Sequence, residues 1–203
     1  VSSDATVPHP ENDTELLEQT IKDPALASAV LEIESHVAQE GWEQPARLYA
    51  LVDTLRFIEA EPRMAAAMGL DTNAVPGSLT AVEQEQYGPE RQIEEVLAGI
   101  VWPETVDGCA VVLERLALPP EADAEMPEDP EERAAYARNH PQAQIVRMAA
   151  GATRAGNTYC ALRLKAHDDD FAVVDGTEMV PELVELVLST LHEGAPDGAG
   201  DQP

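Results

Sequence analysis

AQIVRMAAGATRAGNTYCALRLKAH, residues 143–167, holds two apolar runs on either side of a short Arg-Ala-Gly stretch. Side chains alternate between faces along a strand, so Cys160, Leu162 and Leu164 form the apolar face of the second run. The face shown by the first run depends on the parity of the turn. An odd loop places Val146, Met148, Ala150 and Ala152 beside Cys160 and Leu162. An even loop turns Arg147 toward the core instead, which is costly for an unpaired charge. A three-residue loop, Arg154-Ala155-Gly156, with Gly156 left-handed meets the requirement. The segment is therefore predicted to be a β-hairpin. Its opposite face carries Arg147, Tyr159, Arg163 and Lys165.

Upstream, LAGIVWPETVDGCAVVLERLALPP (97–120) places Trp102-Pro103 ahead of a strand over 108–118. Both alternating sets of that strand are largely apolar, which predicts burial on both faces or a central position. Asp23-Pro24 supplies a side-chain cap and a first-turn proline. Leu26, Val30, Ile33 and Val37 then make one helical stripe, and Gly41 ends it. Residues 46–52 read as the first strand, 54–68 as helix interrupted at Pro62, 69–89 as mostly loop, and 90–98 as a short helix. Residues 121–132 read as an acidic loop and about 130–139 as a helix. The last helix opens at Gly176-Thr177 and carries Val180, Leu183, Val184, Val187, Leu188 and Leu191. This order predicts an α+β fold: a mostly antiparallel sheet of about four or five strands, with helices packed mainly on one face. Residues 1–14 are read as a disordered arm, 15–193 as one domain, and 194–203 as a disordered tail.

The 203 residues carry a formal net charge of −27, with Asp and Glu outnumbering Lys and Arg 39 to 12. Such a chain repels nucleic acid and anionic membrane. The opening VSSDATVPHPENDTE has neither a basic n-region nor an apolar h-region, and is not read as a secretory signal. No apolar run reaches the length of a membrane span. Two distant cysteines point to reduced thiols and a cytoplasmic setting.

No phosphate loop, dinucleotide fingerprint, HExxH, GxSxG or CxxC is present, and no cofactor or metal is expected. Cys109 and Cys160 lie among apolar strand residues and read as core filler, since a catalytic thiol wants an electropositive, partly open setting. His9 lies in the first arm. His36 sits between Glu32 and Glu40 and reads as a solvated ion pair; His140 and His192 stand at helix ends. His167 precedes three aspartates, a set that can bind a divalent metal, but adjacent strand residues face opposite ways, so a compact site is hard to build and a polar strand end is preferred. Trp102 reads as a plug over the core whose indole N–H reaches a carbonyl, with ligand stacking as the second reading; Trp42 and Tyr49 read likewise.

Charge distribution is the anomaly. Residues 133–167 contain no Asp or Glu and six of the twelve bases. Arg147, Arg163 and Lys165, with Tyr159, make a cationic hairpin face that could bind an anion. The competing reading, internal or subunit neutralisation, is preferred.

The segments GWEQPARLYALV, LAGIVWPETVDGCAVVLERLALPP and NTYCALRL resemble an uncharacterised family of acidic actinobacterial proteins, over roughly residues 20–192. The resemblance implies a cytosolic bacterial protein and transfers no site residue. An acidic chain with helices on one antiparallel sheet is also similar, at the level of fold, to secretion-type chaperones. The leading expectation is a non-enzymatic interaction or chaperone-like module that binds a protein partner or itself, as a homodimer. Its alternative is a small-anion binder or enzyme using the hairpin face. Leu186 lies outside the stripe of Val180, Leu183, Val187 and Leu191, so the last helix is apolar over more than one face.

Overall fold

Asp23 caps the first helix, accepting a hydrogen bond from the Leu26 N–H at 3.0 Å, and Pro24 occupies the first turn. The computed structural model describes residues 21–84, 92–177 and 179–192. The first and last segments expected to be disordered, and His9, lie outside these residues. The elements are α1 (Pro24–Gln39), β1 (Arg47–Asp53), α2 (Thr54–Ala60), α3 (Pro62–Ala67), β2 (Leu79–Glu83), α4 (Ile93–Gly99), β3 (Gly108–Ala117), α5 (Pro130–Asn139), β4 (Gln144–Thr153), β5 (Thr158–Leu164), β6 (Val174–Gly176) and α6 (Pro181–Ser189). The fold is α+β, with one antiparallel sheet ordered β2-β1-β3-β4-β5-β6.

The sheet has six strands rather than four or five. The two missed strands are its edges. β2 lies inside the 69–89 stretch read as loop, and β6 is three residues long. Edge strands need no apolar side chains on both faces, so neither has a strong pattern. The stretch read as acidic loop contains a 3-10 turn at Pro120–Glu125.

The hairpin forms as the parity argument requires. Ala150 lies opposite Cys160 and Met148 opposite Leu162. The Thr153 N–H donates to the Asn157 carbonyl across a three-residue loop, and Gly156 has φ +83°. A side chain at that angle would clash with its own backbone, which is why glycine stands there.

Helices cover both faces, not mainly one. On one face α1 lays Leu26, Val30, Ile33 and Val37 against Tyr49, Leu51, Ala110, Val112, Ala149 and Ala161. On the other, α4 and α6 bring Val96, Leu97, Val184 and Val187 onto Leu48, Cys109, Val111, Ala150 and Cys160. β3, third of six strands, is buried on both sides over Gly108 to Leu113, as its two apolar sets predict, while Glu114 to Ala117, Leu116 included, lie nearer solvent. The approach of α1 is close at Gly151. A β-carbon there would stand 2.6 Å from Val30 Cγ2 and 3.1 Å from Leu26 Cδ1. The absence of a side chain at this position lets the helix settle onto the sheet.

Candidate functional site

Arg147 and Arg163 face each other across β4 and β5, on the face covered by α1. Two guanidiniums this close repel unless an anion stands between them. Glu34 of α1 supplies it. This carboxylate is 2% exposed, Arg147 0% and Arg163 3%. Glu34 accepts two hydrogen bonds from Arg163, from Nε at 2.7 Å and Nη2 at 2.8 Å, and its Oε1 lies 3.9 Å from Arg147 Nη1. Arg163 also donates to Asp170 (2.8 Å) and Asp168 (3.3 Å). The Glu34 hydrogen bonds raise the affinity of Arg163 for its proton, against the opposing effect of burial. Arg147 Nη2 donates to Glu114 at 2.9 Å and to the Gly41 carbonyl at the end of α1.

Trp42 closes the cluster. Its ring stacks on the Arg147 guanidinium, 4.4 Å from the centroid, and its indole N–H donates to Asp168 at 2.9 Å. Lys165 lies 3.5 Å from Glu43 and 5.9 Å from the Trp42 ring. Tyr159 donates its hydroxyl hydrogen to Asp175, and burial, then Asp175, pushes its phenol up to about 12. Every member of the cationic hairpin face therefore has an acidic partner inside the chain. Of the aspartates following His167, Asp168 and Asp170 serve Arg163 and Trp42, while Asp169 accepts from the Phe171 N–H at 2.8 Å. Among the described residues no group of His, Cys, Asp and Glu is suited to hold a metal ion.

Glu34 was missed in the sequence although its position signals its role. It stands four residues after Val30 and three before Val37, inside the apolar stripe of α1. A carboxylate in a buried stripe calls for a buried cation, and Arg147 and Arg163 are cations on a strand with apolar neighbours.

Trp102 lies against the other layer. It is 6% exposed, and its indole N–H donates to the Thr190 hydroxyl at 3.0 Å rather than to a carbonyl. Arg154, in the hairpin turn, donates to the carbonyls of Trp102, Pro103, Val106 and Leu191, so the turn ties that loop to the end of α6. Trp102 is a plug, and ligand stacking has no open ring face to use. Trp42 is instead a half-buried lid over a cation.

Cys109 and Cys160 are both buried and unpaired. Burial pushes each thiol up to about 11, and at Cys109 the Thr190 hydroxyl opposes the rise. A raised thiol pKa means that the fold binds the proton more tightly than the unfolded chain does. Each thiol therefore contributes stability below its ordinary value that is lost as pH climbs toward 11. Iodoacetamide at pH 8 is expected to label native protein orders of magnitude more slowly than denatured protein. Fast labelling of either cysteine in the native state would show an open, activated thiol.

Over α6 the apolar surface is incompletely covered. Leu113, Met148, Leu162 and Val174 stand directly opposite one another across β3, β4, β5 and β6. α6 is nine residues long and covers the Ala150–Cys160 end of this face, leaving Met148, Leu162 and Leu164 half-exposed and Val174 exposed. A groove of about 240 Å³ opens there between Leu113, Met148, Leu183 and Leu186, with Glu94, Arg115 and Glu182 at its rim. Arg115 is tied to Glu94. Phe171, just before β6, is fully exposed. Among the described residues no helix is long and apolar enough to cross a membrane.

No curated protein and no solved structure matches the chain. A family model described as PPA1309-like protein matches residues 26–192, from the first turn of α1 to just beyond α6.

Proposed function

From the membership of this chain in the PPA1309-like protein family, an uncharacterised one, we propose that it is a non-enzymatic interaction module that seats a basic, amphipathic segment of a partner protein in the groove beside α6. The carrying observation is the groove between Leu113, Met148, Leu183 and Leu186, at one end of the in-register row Leu113–Met148–Leu162–Val174. Amphipathic helices dock into such grooves through a few apolar anchors. The rim favours a basic occupant, because Arg115 is engaged by Glu94 and Glu182 has no ion-pair partner among the described residues, in a chain of net charge −27. A non-enzymatic role is supported by the buried thiols and by a cationic hairpin face whose charges are already paired. The anion-binding alternative would need a ligand to displace Glu34, Glu114 or Asp170. A cytosolic, actinobacterial setting belongs to the same proposal, supported by the unpaired cysteines and an Arg-to-Lys ratio of ten to two.

The probe is an 18-residue amphipathic Leu/Lys peptide, with a Leu/Glu peptide of the same pattern as control. The Leu/Lys peptide is expected to bind at low salt and the Leu/Glu peptide not to. The variant Leu186→Gln keeps the net charge while removing an apolar anchor, and is expected to weaken binding by about fivefold or more. Unchanged affinity in a folded Leu186→Gln protein would reduce the binding to diffuse charge attraction and end the proposal. A wild-type dimer in sedimentation that Leu186→Gln dissociates would overturn it in favour of a second copy as occupant.

A further inference from the structure

β5 is composed like an interior strand: Tyr159, Cys160, Ala161 and Arg163 are all buried. β4 pairs with it along its whole length, from Thr158 to Leu164, whereas β6 pairs only with Cys160, Ala161 and Leu162. Among the described residues no strand lies beyond β6. An edge with unpaired backbone beside apolar side chains invites pairing with other chains, so the attachment of what covers β5 matters. The cover is residues 165–177, two short 3-10 turns followed by β6. It is poor in packing. None of these residues is buried. Phe171 is fully exposed and Val174 exposed, and of the apolar residues only Val173 packs against either core. Its contacts are polar instead. Asp168 and Asp170 accept from Arg163, Asp168 also from the Trp42 indole, and Asp175 from the Tyr159 hydroxyl, while Lys165 lies 3.5 Å from Glu43.

We infer that residues 165–177 form a strap, held over the β5 edge by charge rather than by packing, which lifts as a unit while the rest of the fold stays closed. Segments with few buried apolar contacts open at a small part of the free energy of global unfolding. Lifting leaves no buried cation without an anion, because Arg163 keeps both hydrogen bonds to Glu34, and Arg147 keeps Glu114 and the Gly41 carbonyl. Both ends are fixed. β5 stays paired with β4, and beyond the strap Met179 and Val180 pack against the core on the α6 side. The strap carries Asp168, Asp169, Asp170 and Asp175 against Lys165, in a chain of net charge −27. The molecule as a whole therefore repels it, and the contacts to Arg163 are what hold it down. Closed, the strap withholds the β5 edge; lifted, it bares that edge.

The test is hydrogen exchange of the full chain, read by mass spectrometry and NMR and corrected for intrinsic rates. The β6 amides and the β5 amides that pair with them are expected to exchange together, about a hundredfold or more faster than those of β3. Asp168→Ala/Asp170→Ala removes the contacts to Arg163 and should speed both sets by about fivefold or more. The β3 amides should be unchanged in that variant and its melting temperature should hold within a few degrees, since Glu34 still pairs with Arg163. Val173→Ala trims the one packed side chain and should speed exchange less than the double variant does. Phe171→Ala should change nothing. Protection of β6 equal to that of β3, β6 amides that exchange without their β5 partners, or unchanged exchange in the double variant would each overturn the inference. So would a larger effect of Val173→Ala, which would make packing the hold.

Discussion

Replacing Glu34 by Gln is expected to destabilise the fold by about 3–5 kcal/mol, the cost of breaking a buried ion pair from one side. For a chain of this size the melting temperature should fall by roughly 10 °C. Gln has nearly the same shape, so packing of α1 is retained and the effect isolates charge. Without the carboxylate, Arg147 and Arg163 lie opposite each other under a helix with no anion between them. Neither can reach water, and Arg147 already has Nε and Nη1 without hydrogen bonds. Asp168 and Asp170 remain on Arg163, but both lie nearer solvent than Glu34. Chemical denaturation of Glu34→Gln against wild type measures the difference. A loss under about 1 kcal/mol, the size seen for exposed pairs, would mean that water reaches the guanidiniums and that α1 does not seal them. The double variant Glu34→Leu/Arg163→Met separates charge from helix docking. It is expected to recover part of the loss, because apolar side chains of similar volume often replace buried ion pairs without penalty.

Trp102→Ala should cost a comparable amount, about 3–5 kcal/mol, for a different reason. The indole is the largest side chain in the layer beneath α4 and α6, and truncating it removes the most buried volume there. Its N–H also holds the Thr190 hydroxyl, which stands 3.3 Å from Cys109 Sγ. The truncation therefore opens a cavity beside a buried thiol. Trp102→Phe retains most of the ring area and loses one hydrogen bond, so about 1–2 kcal/mol is expected. The measurement is again chemical denaturation, paired with the labelling rate of Cys109. If Trp102 were a stacking residue for a ligand, both variants would be nearly as stable as wild type. Faster Cys109 labelling in Trp102→Ala than in Trp102→Phe is the signature of the plug.

The two tryptophans show how far residue type alone carries. Trp102 lies between a helix end and a strand apolar on both faces, and the local pattern suffices to bury it. Trp42 has no such frame. Its partners, Arg147 and Asp168, are 105 and 126 residues away along the chain, and nothing near Trp42 announces them.

Much that depends on neighbours in the chain was determined by the sequence itself. The Asp23 cap, the break at Pro62, the left-handed Gly156 and the odd loop of the hairpin all follow from backbone sterics and period-two alternation. So does the burial of β3 on both faces. That burial calls for a second layer of helices, because a strand apolar on both sides cannot leave one side to water, and the expectation of helices mainly on one face did not draw that consequence. Only the tertiary structure decided which helix covers which face, and with it the fate of the cations. Alternation says that Arg147 and Arg163 share a face; it does not say that α1 lies over that face with Glu34 pointing in. Ion pairing acts through space with no fixed spacing in sequence, so the pairing of Glu34 with residues 113 and 129 positions away is set by where α1 docks. The edge strands β2 and β6 were decided at the same level, since backbone pairing with β1 and β5 holds them where their own side chains show almost no pattern.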